Sequence, residues 1–110
     1  MIKAVFSKGD RGFVRAEISG HAGYAVCGND IVCASVSSAV QMAANGITEI
    51  VGAPAEVIVD EDSVVIELPA REGDPAGDSA AEHFLAALCL HIELLMQEYE
   101  QNIKLTVLEV

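Results

Sequence analysis

His21 and Cys33 are the pair with the clearest capacity for chemistry in this chain. A cysteine acts as a nucleophile only as the thiolate, so it needs a base in reach and a field that favours the anion. His21 could take the thiol proton if the intervening loop folds back on a helix start. Cys33 falls in what reads as the first turn of a helix, where partial positive charge and free N–H groups favour an anion. Asp30 precedes it by three residues, the spacing from an N-cap to the N3 position, and its carboxylate could accept the Cys33 N–H. Gly20, Ala22, Gly23 and Gly28 between or beside these residues would let backbone approach a bound ligand and let the loop move. The plain alternative is that Cys33 is inert core, since cysteine is among the most buried residue types.

The elements that must place these side chains follow from periodicity. Residues 2–7 alternate, with Ile2, Ala4 and Phe6 opposite Lys3, Val5 and Ser7, which reads as a strand. Lys8-Gly9-Asp10-Arg11-Gly12 is a turn, and residues 13–19 return with Val14, Ala16 and Ile18 opposite Phe13, Arg15 and Glu17. His21 then stands just past a strand end. Residues 31–51 predict a helix whose stripe is Val32, Val36, Val40 or Ala39, Ala43, Ile47 and Ile50 or Val51. Ser37, four residues after Cys33, shares its face, either to serve the thiolate or a bound peptide or to bond its own helix carbonyl. Gly52-Ala53-Pro54 ends the helix.

Two β-branched runs, 55–60 and 63–68, predict a second hairpin. The acids Asp60-Glu61-Asp62 between them read as a solvated turn. Residues 69–78 form a turn-rich connector, and Ser79 with Glu82 fits a capping box for a helix running to about residue 101. Its stripe is Ala81, Phe84, Leu85, Leu88, Ile92, Leu95 and Tyr99, widened by Cys89, Leu94 and Met96. His83 and His91 read as surface or rim residues. Residues 103–110 alternate as a last strand. The result is one α+β domain over 1–110, in the order ββαββαβ, with an antiparallel or mixed sheet and two helices on one face.

Composition narrows the classes of function. The 110 residues are 52% hydrophobic with no Trp, so the core must be aliphatic, and some apolar surface is expected to serve self-association. The formal net charge of −11 disfavours direct contact with nucleic acid and favours a basic partner, or simply keeps a hydrophobic chain in solution. Cys27, Cys33 and Cys89 are an odd number and read as free thiols. His21, Cys27 and Cys33 lack zinc-site spacing, so no metal and no cofactor are expected. No transmembrane helix and no signal peptide are expected, which points to the cytoplasm.

Gly20-His21-Ala22, then Gly28, Asp30, Val32-Cys33-Ala34 and Val36-Ser37, resembles the signature of the ribosomal-processing cysteine protease family, Prp. Length and element order extend the resemblance over nearly the whole chain. It implies a cytoplasmic, homodimeric endopeptidase that removes a short N-terminal extension from a large-subunit ribosomal protein before or during ribosome assembly. The family's catalytic histidine falls on His21, its nucleophile on Cys33, and its Asp and Ser on Asp30 and Ser37. Asp30 then has two candidate roles, helix cap or orienter of His21, of which the cap is favoured. Backbone N–H groups at the start of the first helix are expected to hold the oxyanion. Cys27 lies outside the family pattern and raises a redox reaction with Cys33. The rival class is a non-catalytic assembly or peptide-binding module that holds a basic ribosomal peptide on its acidic surface.

Overall fold

Period-two alternation becomes the hairpin of β1 (Ile2–Gly9) and β2 (Gly12–Ser19), and the helical stripe becomes α1 (Ile31–Asn45). β3 (Glu56–Val59), β4 (Ser63–Glu67), α2 (Pro75–Glu98) and β5 (Ile103–Glu109) complete the ββαββαβ order. The computed structural model describes residues 1–10, 12–25, 30–69 and 75–110. Arg11 of the first turn, Cys27 and Gly28 of the loop, and 70–74 of the connector lie outside the described residues. The five strands lie in the order β3-β4-β2-β1-β5. β1 pairs with β5 in parallel and the other pairings are antiparallel, so the sheet is mixed. A parallel neighbour needs a crossover, and α2 provides it.

Register places the apolar side chains of neighbouring strands in rows on one face. Phe6 stands beside Ala16 and Val107, Ala16 beside Ile66, Ala4 beside Ile18 and Leu105, and Ile2 beside Ile103. Both helices cover that face. Val32, Val36, Val40, Ala43 and Ile47 from the first, and Ala81, Leu85, Leu88, Cys89 and Ile92 from α2, join the strand residues in one core. Phe6, Ile47, Ile66, Leu85, Ile92 and Ile103 are the largest fully buried side chains. Each such burial contributes about 1.5–3 kcal/mol, an upper estimate because unfolded chains already bury part of this area. Cys89 is therefore core, and burial, with the nearby Glu93 charge adding to it, raises its thiol pKa against a smaller opposite effect of Lys8.

Several elements depart from their sequence-based expectation. A β-bulge between Ser7 and Lys8 pairs Lys8 with Phe13 and Ser7 with Arg15. It turns Phe13 to the core side, where its ring meets Phe6 edge-on at 5.8 Å, although strict alternation puts it opposite Ala16. The first helix does not stay α-helical to residue 51. Gly46–Val51 winds as a π-helical segment, and Gly52, at φ 74°, closes it in a left-handed conformation. Gly46 lies against the Phe84 ring, and any Cβ there would overlap it. α2 begins at Pro75, not at a Ser79 cap, because proline lacks only an N–H that the first helical turn leaves unused. Of the alternatives Ile50 and Val51, Val51 packs against the core, while Leu94 points outward, 53% exposed, so the buried stripe of α2 is narrower than its apolar pattern. His83 and His91 are exposed. The helical stretch Ile31–Val51 is long and apolar enough to cross a membrane by length and composition, contrary to expectation. Its apolar stripe packs in the core while Ser38 and Gln41 on its other side are exposed, which is the pattern of a core helix.

Candidate active site

The site is assembled where the end of β2 meets the start of α1. Gly20 leaves β2 at φ 85°, a left-handed conformation that glycine adopts without strain, and a Cβ there would overlap the Met1 backbone carbonyl. That turn delivers His21 to the rim of a groove of about 520 Å³ between α1 and the β3–β4 hairpin. Cys33, Val36, Ser37 and Gln41 line the helical side of the groove, and Val57, Val59 and Asp62 the hairpin side. Cys33 is half-buried, packed against the core on one side and lining this space on the other.

Asp30 organises the loop and the helix start together. Its backbone is extended, at φ −84° and ψ 102°, as an N-cap requires. Oδ1 accepts the N–H groups of Val32 and Cys33, each at 3.0 Å. Oδ2 accepts those of Tyr24 at 3.0 Å and Ala25 at 3.3 Å. The Cys33 N–H is the largest influence holding this carboxyl below its ordinary pKa. Burial opposes it, and the Ala25, Tyr24 and Val32 N–H groups add to it. With both oxygens used on backbone, Asp30 acts as cap and loop anchor, and its hydrogen bonds do not reach His21. The same bonds occupy the helix-start N–H groups of Val32 and Cys33, while the Ala34 N–H bonds the Asp30 carbonyl at 3.1 Å. The expected oxyanion donors at the helix tip are thus already engaged, because the cap that fixes a helix start also uses its free donors.

Ala22 is not a pliant loop residue. It is 3% exposed, its N–H donates to the Cys33 sulfur at 3.2 Å, and its carbonyl accepts from Asn102 Nδ2 at 2.9 Å. The Tyr24 ring meets Tyr99 edge-on at 5.4 Å, a second tie to the end of α2. The first part of the loop is therefore held, with room at Gly23, where φ is 68° and no atom would meet a Cβ within 4 Å. Gly28 and Cys27 lie outside the described residues, and with them the Cys27–Cys33 redox reading. Ser37 is exposed on the groove one turn from Cys33, and its Oγ accepts from Gln41 Nε2 at 3.4 Å. It is Ser35, not Ser37, that bonds back to a helix carbonyl, that of Ile31 at 2.7 Å.

His21 Nε2 lies 3.0 Å from Asp62 Oδ1, and the Gly20 N–H donates to the Asp62 carbonyl at 3.0 Å. Residues 60–62 read as a solvated turn in the sequence, and nothing local marks Asp62, since its partner is 41 positions away. Only the placement of β4 beside β2 brings that turn to the end of β2. Among the described residues no cluster of His, Cys, Asp and Glu is arranged to hold a metal ion. The site thus offers a groove-facing thiol, a histidine on the same rim and an extended cleft between helix and hairpin, which is the apparatus of acyl transfer to sulfur.

Comparison with known proteins agrees. The model of the family described as cysteine protease Prp matches residues 1–104. The ribosomal processing cysteine protease Prp of Bacillus subtilis (strain 168) is 28% identical over 108 residues, 96% of each chain. Among solved structures, the essential ribosomal processing protease Prp from S. aureus with a covalently linked product peptide has the same fold. The two superpose with a TM-score of 0.86 at 23% identity, covering 97% of this chain and 99% of that one. The same protease with a substrate peptide gives a TM-score of 0.80 at 21% identity over the same shares. By the family match, this chain belongs to the cysteine protease Prp family and is a cysteine peptidase.

Proposed function

We propose that this protein removes the N-terminal extension of a large-subunit ribosomal protein by a Cys33–His21 pair. The observation that carries the reading is the shared groove: the thiol and the imidazole line one open cleft that can take an extended peptide. His21 takes the thiol proton, Cys33 sulfur attacks the scissile carbonyl, and His21 returns the proton to the leaving amine as the C–N bond breaks. Water then cleaves the thioester with His21 as base, and the sulfur regains its proton. The Ala22 N–H, which donates to the Cys33 sulfur at 3.2 Å, is a backbone donor beside the reacting atom that supports the sulfur as anion. Asp30 sets the helix start that presents Cys33, and Ser37 lines the cleft beside it.

The acidic rim of Asp60, Glu61 and Asp62 and the net charge of −11 support a basic ribosomal tail as substrate and no direct nucleic-acid contact. Exposed Leu90 and Leu94 on α2 and Val107, Leu108 and Val110 at the β5 edge support a homodimer. The test is incubation with the extended ribosomal protein, read by mass spectrometry. Cleavage by the wild type and none by Cys33→Ala or His21→Ala is expected; cleavage retained in both variants overturns the reading.

A further inference from the structure

We infer that Asp62 is a positioning residue for His21, completing a Cys33–His21–Asp62 triad in which the imidazole works through Nδ1. This deepens the proposed peptidase reading and rests on it. An ionised carboxylate can only accept, so the 3.0 Å contact with Asp62 Oδ1 places the hydrogen of the neutral ring on Nε2. The lone pair is then on Nδ1. The sulfur proton passes to Nδ1, giving an imidazolium whose Nε2–H stays on Asp62, and the Nδ1 proton leaves with the amine; Asp62 remains ionised throughout.

The other carboxylate close to the site cannot take this role, because Asp30 spends each oxygen on two backbone N–H groups. Asp60 and Glu61 share the turn and the groove, yet the ring bonds Asp62. A fold-stapling role explains little. His21 and Asp62 are 71% and 68% exposed, where an ion pair is screened and adds little stability, and the Gly20 N–H already ties the turn through the Asp62 carbonyl. That backbone bond sets the spacing of the turn, and the side-chain bond then sets the ring.

The experiment has two parts. Long-range proton–nitrogen correlation on the 15N-labelled full chain, at a pH where the ring is neutral, reads the His21 tautomer, assigned by its loss in His21→Ala. The Nε2–H tautomer is expected; the Nδ1–H tautomer overturns the inference, and this part needs no Asp62 variant to fold. Kinetics on the extended ribosomal protein form the second part. Asp62→Ala is expected to lower kcat about tenfold with KM changed less than about twofold, the size of one charge-assisted hydrogen bond. Asp62→Glu, which keeps a carboxylate acceptor, is expected to recover part of the rate. An Asp62→Ala kcat within about twofold of wild type refutes the positioning role while leaving the dyad intact. Undiminished cleavage in Cys33→Ala and His21→Ala would instead overturn the parent reading.

Discussion

Replacing Gly20 by alanine tests whether the turn that delivers His21 is as constrained as its geometry implies. Two costs arise. A Cβ at φ 85° occupies a left-handed conformation, about 1–2 kcal/mol for an L residue. The same Cβ overlaps the Met1 carbonyl, which belongs to backbone and cannot rotate away, so the start of β1 must shift at an overpacking cost of about 1–3 kcal/mol. Gly23 is the internal control. Its φ is 68° but open space surrounds it, so Gly23→Ala carries only the conformational cost. An unfolding entropy of about 2.1 cal/mol/K per residue makes about 0.23 kcal/mol/K for 110 residues, or about 4 °C of Tm per kcal/mol. Gly23→Ala should therefore lose about 4–9 °C, and Gly20→Ala a further 4–13 °C or so, since the two differ only in the clash. Thermal melts followed by circular dichroism at one pH give both numbers. If the two variants melt within about 2 °C of each other, the obstruction at Met1 is not a constraint and this account of the turn is wrong.

Loss of the cap in Asp30→Ala should destabilise the protein at neutral pH. The folded-state carboxyl is held below its unfolded value, so its contribution is present above the unfolded pKa and is lost as pH falls through the folded one; the Tm gap to wild type should narrow on acidification below about pH 4, in melts of both proteins across pH. Gly46→Ala should cost about 1–3 kcal/mol, because the Phe84 ring occupies the space its methyl would need, and a urea titration should show a lower midpoint at unchanged slope. Iodoacetamide at neutral pH, followed by peptide mapping, should modify the half-buried, groove-facing Cys33 well before the buried Cys89, whose thiol pKa is raised; equal rates would contradict the packing of α2.

Local order was legible wherever the physics is local. Alternation identified β1, β2 and β5, because side chains on a strand point to opposite faces, and β-branched runs identified β3 and β4. The stripe Val32, Val36, Val40, Ala43 and Ile47 was readable because a helix returns to the same face every three to four residues. The cap of Asp30 on Cys33 is a three-residue interaction and could be read from spacing alone. The bulge at Ser7, the π-helical turns after Asn45 and the early start of α2 were not readable, since each reflects how one element fits its neighbours. A Gly46 that looks like any helical glycine owes its place to a phenylalanine on the other helix.

The amino-acid sequence by itself determined the order of the elements, the apolar faces they bury and the pairing of the Asp30 cap with Cys33, because these depend on residues within one or two turns of each other. The tertiary structure alone decided that Asn102 would clasp Ala22 across 80 positions, that the hairpin acids would reach the end of β2, and that His21 would bond Asp62 and not Asp30. Those contacts exist because β4 lies beside β2 and β5 beside β1. Strand order is a property of the whole packed chain: it depends on which arrangement buries every apolar face at once, and no short stretch carries that information.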